Sequence, residues 1–324
     1  MRPELRLSSR RVSPMVPALF QNHGHAMKHL LSIESLTTAE LHDLLALAAE
    51  MKATRGRHAA HPLRHQCWGM LFSKSSTRTR VSFEVGIREL GGDVLFLSAN
   101  DIQLGRGEPI KDTARVMGRM LHGAVIRTFA QQDVVDFAEY AGIPTINALT
   151  DDEHPCQILA DLQTIQERLG SFEKKVVTFV GDGACNVPRS WMWAAARLDF
   201  ELRIAAPKPF QPDPALVAAC GPRVSVTDDL TAAAEGADVL YTDVWVSMGK
   251  EEEAAYRLAQ LGSYTIDEAL VAKAKPGALV MHCLPAYRGK EISESVLEAH
   301  ADTIFTQAEN RLHAQKAVLA RVAR

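Results

Sequence analysis

The sequence is missing the marks of several protein classes. It has no cysteine pair: Cys67, Cys156, Cys185, Cys220 and Cys283 are scattered, without a CxxC spacing. An odd, dispersed set argues against a disulfide framework and for a reducing compartment. It has no long apolar run. Stretches such as Leu44–Ala49 extend about six residues, against the ~20 that a membrane-spanning helix needs. It has no basic excess, with 36 Lys and Arg against 39 Asp and Glu and a net charge of −3. That argues against a broadly basic nucleic-acid or membrane surface. No repeat or low-complexity tract is visible.

What is there is ordinary globular material: 324 residues, 47% apolar and 23% charged. At roughly 150 residues per domain, the length suggests about two domains. A chain this long buries a core without disulfide or metal staples. The charge is uneven. Residues 1–26 carry Arg2, Arg6, Arg10 and Arg11 against Glu4 alone, leaving 32 basic and 38 acidic residues and a net of −6 for the remainder. This head reads as a disordered extension ahead of Met27, or as a mitochondrial leader. The cytoplasm is the expected compartment, with the mitochondrial matrix as the alternative.

Thr37-x-x-Glu40 forms a capping box, and Leu41, Leu44, Leu45, Ala48 and Met51 follow at helical spacing. Strands and helices then alternate. Strands are expected at Cys67–Phe72, Asp93–Leu97, Ala124–Thr128 and Thr145–Ala148. Helices are expected around Phe83, Ile87 and Leu90, and at Thr113–Leu121 and Val134–Ala141. A helix with Ile158, Leu162, Ile165 and Leu169 leads to a second series. Its strands are expected at Val176–Val180, Leu202–Ala206, Val224–Val226, Asp238–Asp243, Ala278–His282 and Thr303–Phe305, before a terminal helix over Leu312–Val322. Such alternation predicts an α/β fold with mostly parallel, helix-covered sheets. The domain boundary falls near residue 155 or within the helix that follows.

Ligands of parallel sheets bind at the C-terminal strand ends, and six polar segments follow expected strands. Ser73 to Arg80 opens a helix with hydroxyls and cations, which suits an anion; it also reads as an N-cap with solvated charges. It lacks the GxxxxGK[ST] spacing of a Walker loop. Arg127 ends a strand, as a pocket cation or a surface ion-pair partner. In Asp152-Glu153-His154-Pro155-Cys156-Gln157, the side chains of His154 and Gln157 can donate to a carbonyl or phosphate oxygen; a zinc site would need more ligands. Gly181-Asp182-Gly183-Ala184-Cys185-Asn186 resembles a dinucleotide turn, yet the third glycine is replaced by Asn186 and no ribose-binding acid follows Ala206. Asp243, ahead of Ser247-Met248-Gly249, can hold a cationic amine or merely cap a turn. His282-Cys283-Leu284-Pro285 suggests a nucleophile. Neighbours in an extended segment point apart, however, so a Cys–His dyad is a weak reading and a buried inert thiol stands beside it.

Taken together, these segments resemble the ornithine carbamoyltransferases of the aspartate/ornithine carbamoyltransferase family. Ser76-Thr77-Arg78-Thr79 is similar to the family's carbamoyl-phosphate signature. His154-Pro155-Cys156-Gln157, Asp243 with Ser247-Met248-Gly249, and His282-Cys283-Leu284-Pro285 match in order and spacing, and the similarity runs from about Met27 to the C-terminus. The resemblance implies two α/β domains, each a parallel sheet covered by helices, with a cleft between them. Residues 27–157 would bind carbamoyl phosphate, 158–310 would bind ornithine, and 311–324 would form a C-terminal helix. It implies carbamoyl transfer to the δ-amine of L-ornithine, giving citrulline and phosphate, with arginine biosynthesis as the usual setting.

The resemblance also assigns roles. Ser76, Thr77, Arg78, Thr79, Arg127 and Arg311 would bind carbamoyl phosphate, with Gln103 reaching in from a neighbouring subunit. His154, Gln157, Arg127 and Thr79 would hold the carbamoyl group. Asn186, Asp243, Ser247, Met248, Cys283 and Leu284 would bind ornithine. Catalysis would rest on Arg127, His154, Asp243 and Cys283, the last as a contact and proton relay and not a covalent nucleophile. No metal and no organic cofactor are implied. The partners implied are the two substrates and further copies of the chain, in a homotrimer or a multiple of trimers. Three departures stand out: Cys185 precedes Asn186 where many relatives have another Asn, Pro188 follows closely, and Tyr287 stands where His is common. The alternatives are a sister enzyme acting on putrescine or an acylated ornithine, and a silent, oligomer-forming paralogue.

Overall fold

Two runs of alternating strand and helix build two separate parallel sheets. The computed structural model describes residues 27–98, 107–247 and 249–323. The first run is α1 (Thr38–Ala53), β1 (Cys67–Phe72), α2 (Thr77–Glu89), β2 (Asp93–Ser98), α3 (Ile110–Met117), β3 (Gly123–Arg127), α4 (Gln131–Ala141) and β4 (Thr145–Leu149). Its sheet has the order β2-β1-β3-β4, with every pairing parallel. The expected capping box starts α1: the Glu40 amide donates to Thr37 Oγ1, and the Glu40 carboxylate accepts from the Thr37 amide at 2.8 Å. Leu41, Leu44, Leu45, Ala48 and Met51 are all buried, as their spacing predicts.

Helix α5 (Pro155–Leu169) leads to the second run. This comprises β5 (Val176–Val180), α6 (Asn186–Arg197), β6 (Glu201–Ala205), α7 (Pro214–Cys220), β7 (Val224–Thr227), α8 (Leu230–Ala234), β8 (Val239–Thr242), α9 (Ala254–Leu261), α10 (Glu268–Val271), β9 (Leu279–His282), α11 (Glu294–Ala299) and α12 (Ala301–Val322). The second sheet has the order β7-β6-β5-β8-β9, again all parallel.

Both sheets reverse direction internally. The chain leaves β1 for β2 and returns to the other side of β1 as β3; it leaves β5 for β6 and β7 and returns beside β5 as β8. Ligands of open α/β sheets bind at such switch points, beyond the carboxyl ends of the strands. The loops after β1 and β3, and those after β5 and β8, are therefore the places for chemistry.

Two expectations are corrected. Thr303–Phe305 is not a strand but lies in the first turns of α12, a 22-residue helix that runs through residue 311. The triplet's β-branched and aromatic character favours a strand locally, but Ile304, Gln307, Arg311, Ala314 and Val318 share one buried helical face. The helix expected over Thr113–Leu121 begins and ends earlier, at Ile110 and Met117. Gly118 follows it, where a Cβ would sit 2.1 Å from the Ala141 carbonyl oxygen. Helix α12 packs on α1, α2, α5 and β9, so it touches elements of both runs. Among the described residues, no helix is long and apolar enough to cross a membrane.

Candidate active site

The residues after β1 form an anion cradle. Ser76 caps α2, its Oγ accepting from the Thr79 amide at 3.3 Å, and the helix has no acidic residue in its first turn. Free amides and a positive helix end therefore face the loop, with Thr77, Arg78 and Thr79 on the first turn. Register places Arg127 beside this loop. Phe72 pairs with Arg127 across β1 and β3, and the Ser73 amide donates to the Arg127 carbonyl at 2.8 Å. Arg127 Nε is buried without a partner. Burial, and then Arg311 and Arg78, push its guanidinium down to about 10. A lowered cation among other cations is the electrostatic signature of an anion site.

Two further elements close this half. His154 precedes Pro155 at the start of α5, and its amide donates to Ser190 Oγ at 2.9 Å. Its Nδ1 is buried without a partner. Burial first, and then Arg311, Arg127 and Arg78, hold the imidazole well below its usual range, so it is neutral. Arg311, from α12, donates to Gln157 Oε1 at 2.6 Å and to Thr79 Oγ1 at 3.1 Å. Ser76, Thr79, Arg127, His154, Gln157 and Arg311 thus come together from four elements and their caps. Lys74 pairs with Asp151 and lies 4.2 Å from the Phe129 ring, a supporting contact that the sequence pattern did not suggest.

The second half is acidic. Asp243 follows β8, and its Oδ1 accepts from the Val244 amide at 2.7 Å and from the Cys283 thiol at 2.8 Å. Burial and the Asp243 carboxylate push the Cys283 thiol well above its ordinary range. A protonated thiol donating to a carboxylate is no thiolate nucleophile. Burial also raises Asp243. Cys283 and His282 do point apart: His282 Nδ1 accepts from the Leu284 amide at 2.8 Å, and its Nε2 lies 3.1 Å from Glu291. Asp243, His282 and Cys283 offer three potential metal-ligand atoms within 4.8 Å of one another. Both His282 nitrogens are already engaged, and the thiol is held by Asp243, so this trio suits hydrogen bonding better than a metal.

The turn after β5 is tight, as expected. Gly183 is required there, because a Cβ would meet Ile204 Cγ2 at 2.6 Å. Asp182 Oδ1 accepts from the Ala184 amide, and its Oδ2 accepts from Arg257 at 2.7 Å. Arg257 also donates to the Trp245 carbonyl, which ties the Asp243–Ser247 loop to this turn. Asn186 begins α6, with its Nδ2 given to the Thr150 carbonyl at 2.6 Å. Ser247 and Leu284 are half-buried on their loops. Gln103 and Met248 lie outside the described residues. The two halves lie close together, with Cys283 within electrostatic range of both Arg127 and Arg311.

Residues that the sequence reading passed over stand behind the site. Asp161 is fully buried; its Oδ1 accepts from Gln157 and Gln307, each at 2.8 Å, and burial pushes it up to about 7. Its spacing of four from Gln157 was the available signal. Glu153 is also buried, accepting from the Ile33 amide and Ser190 Oγ.

Both halves of the chain match known proteins. Residues 28–167 match the family profile described as aspartate/ornithine carbamoyltransferase, carbamoyl-P binding domain, and residues 173–322 match the corresponding Asp/Orn binding domain. The chain is similar to an ornithine carbamoyltransferase of Akkermansia muciniphila, with 58% identity over 92% of this chain and 98% of that protein. It is similar to an anabolic ornithine carbamoyltransferase of Pseudomonas aeruginosa, with 48% identity over 91% of this chain and 96% of that one. Its fold is similar to that of the ornithine carbamoyltransferase of Pyrococcus furiosus, with a TM-score of 0.85 and 42% identity over 92% of this chain and 97% of that chain. The chain belongs to the aspartate/ornithine carbamoyltransferase family.

Proposed function

We propose that this chain transfers the carbamoyl group of carbamoyl phosphate to the δ-amine of L-ornithine, giving L-citrulline and phosphate. The family profile leaves the acceptor open between aspartate and ornithine, and the observation that decides it is the Cys283–Asp243 hydrogen bond. An acidic wall suits an acceptor carrying an amine at its far end. An aspartate acceptor would want cations there for its second carboxylate. The names of the most similar relatives agree.

In this reading, Ser76, Thr77, Arg78, Thr79, Arg127 and Arg311 hold the phosphate, with Gln103 supplied by a neighbouring subunit. His154, Gln157 and Arg127 hold the carbamoyl group. Asn186, Asp243, Ser247, Met248, Cys283 and Leu284 hold ornithine. The amine must be neutral to attack, and as a free alkylammonium it resembles that of lysine, near 10.4. Asp243 and the Cys283 thiol orient it, and the Asp243 carboxylate accepts its proton. Negative charge builds on the carbonyl oxygen, where Arg127 and the neutral His154 donate. Phosphate departs into cations and helix amides. Residues 27–157 serve the donor and 158–310 the acceptor, with 311–324 returning Arg311 to the donor site. The setting we propose is arginine biosynthesis in the cytoplasm, by a homotrimer or a multiple of trimers.

A citrulline assay with ornithine, putrescine, N-acetylornithine and aspartate tests the acceptor. Ornithine should be carbamoylated and the others not. Turnover of putrescine alone would overturn the assignment of the Ser247 loop, and no turnover at all would favour a silent paralogue.

A further inference from the structure

An unbroken chain of side chains runs behind both half-sites. It starts at Thr79 Oγ1, which accepts from Arg311 Nη2, while Arg311 Nη1 donates to Gln157 Oε1 at 2.6 Å. Gln157 Nε2 then donates to Asp161 Oδ1 at 2.8 Å, as does Gln307 Nε2 at the same distance. Gln307 Oε1 in turn accepts from the His282 amide at 3.0 Å, one residue before Cys283. Asp161 stands in the middle, wholly enclosed between α5 and α12. Its other oxygen, Oδ2, is buried without a partner.

We propose that Asp161 is a positioning residue that fixes the amide orientation of Gln157 and Gln307, and so joins the donor half-site to the acceptor half-site. This rests on the site assignment given above. A glutamine amide has two ends of nearly equal size, and its partners alone decide which end faces where. Asp161 Oδ1, which faces both amides, only accepts, whether or not Oδ2 carries a proton. It draws both NH2 groups toward itself and leaves both amide oxygens facing outward. One oxygen then meets the Arg311 guanidinium and the other meets the His282 N–H. A reversed Gln157 would set NH2 against guanidinium, donor against donor, beside the carbamoyl site. A reversed Gln307 would set NH2 against the His282 N–H, at the base of the Cys283 loop. Burying a carboxylate with one oxygen unpaired is costly, and an apolar residue would pack between two helices more easily. Fixed orientation of the two amides is what offsets that cost.

The test uses the full chain and three variants. Asp161→Leu keeps the branched shape at a larger size and removes the acceptor. Asp161→Asn keeps one accepting oxygen. Gln307→Met breaks the acceptor arm alone. Asp161→Leu should raise the KM of both carbamoyl phosphate and ornithine about tenfold, whereas Asp161→Asn should keep each within about threefold. Gln307→Met should raise the ornithine KM about fivefold and leave that of carbamoyl phosphate unchanged. Wild-type KM values in Asp161→Leu, or equal damage in Asn and Leu, would overturn the proposal. If Asp161→Leu fails to fold by circular dichroism, an unchanged ornithine KM in Gln307→Met would overturn it, and a raised one would support it. Calorimetric binding of carbamoyl phosphate separates this from the acceptor assignment. If the wild type binds carbamoyl phosphate but makes no citrulline, the acceptor reading fails. Lost carbamoyl-phosphate affinity in Asp161→Leu would still support the positioning role, and retained affinity would overturn it.

Discussion

Replacing Arg127 by Met should stabilise the empty protein while abolishing donor binding. Arg127 closes β3 with its Nε buried and unpartnered. Burial, and then Arg311 and Arg78, push its guanidinium from the ordinary arginine range down to about 10. A cation whose folded value lies below its unfolded value destabilises the fold wherever both states are charged. That holds at every pH well below about 10, and the penalty fades only as pH rises through that value. At about 1.4 kcal/mol for each tenfold change, the depression is worth roughly 3 kcal/mol. Partial exposure screens it, which brings it to roughly 2 kcal/mol. Methionine keeps the apolar stem in place and removes the charge. The empty variant should therefore gain about 1–2 kcal/mol once imperfect repacking is counted.

Thermal melting near neutral pH, with and without carbamoyl phosphate, reads both effects. For the wild type, donor at about a hundred times its Kd should add about 2.7 kcal/mol, so its midpoint rises clearly. Arg127→Met should start higher and rise little. A variant that melts below the wild type without ligand would refute the charge argument, because the guanidinium would then be stabilising the empty fold. A ligand shift of full size would refute the assignment of Arg127 to the donor site.

Other outcomes follow from the same geometry. Arg78→Ala should weaken carbamoyl-phosphate binding about a hundredfold by calorimetry, since a buried dianion loses a counter-charge on the first turn of α2; unchanged affinity would remove Arg78 from the cradle. Cys283→Ser should lower kcat/KM for ornithine about tenfold and leave donor affinity within about twofold, because the site retains its cations and loses a fitted contact; wild-type ornithine kinetics would count against the Cys283 role. Glu153→Gln should change the pH dependence of melting. Burial raises Glu153 from 4.5 to about 7, so its folded form keeps a proton that the unfolded form has lost. Its charge penalty is absent below about 4.5, grows as pH rises from there, and is complete above about 7. The variant should match the wild type in mild acid and melt higher in mild base, and parallel curves would contradict that sign.

Local pattern made much of this molecule legible. Short apolar strands ending in polar turns show up within a few residues, so the loops after β1, β3, β5 and β8 are legible locally. What those loops face is set by register between distant strands. Arg127 meets the α2 cradle because β3 returns to the side of β1, opposite to β2, a choice no local window contains. Asp161 was passed over for the same reason. Its partner Gln307 lies 146 residues later, and an isolated Asp on a helix looks like solvated charge. The strand expected at Thr303–Phe305 failed differently. Helix α12 buries Gln307, Asn310, Arg311, His313, Gln315 and Lys316, so its inward face is too polar to show in a hydrophobic pattern. A polar face becomes a buried one only when another polar helix, here α5, packs against it.

That arrangement explains why whole-chain charge says so little about the substrate. The net of −3 averages over two walls of opposite character. On one wall, Arg311 and Arg78 act on Arg127, and all three act on His154. On the other, a carboxylate holds a protonated thiol. A dianion and an ammonium would otherwise pair with each other, and opposite fields on the two walls keep them apart and in order. The same field decides how His154 works. Three nearby cations and full burial keep it neutral, so it can donate a hydrogen bond to the carbonyl oxygen without supplying a full charge. In the mechanism we propose, the charge that develops there is met by Arg127. An imidazolium at that position would require the cations to retreat, and the phosphate cradle would weaken with them.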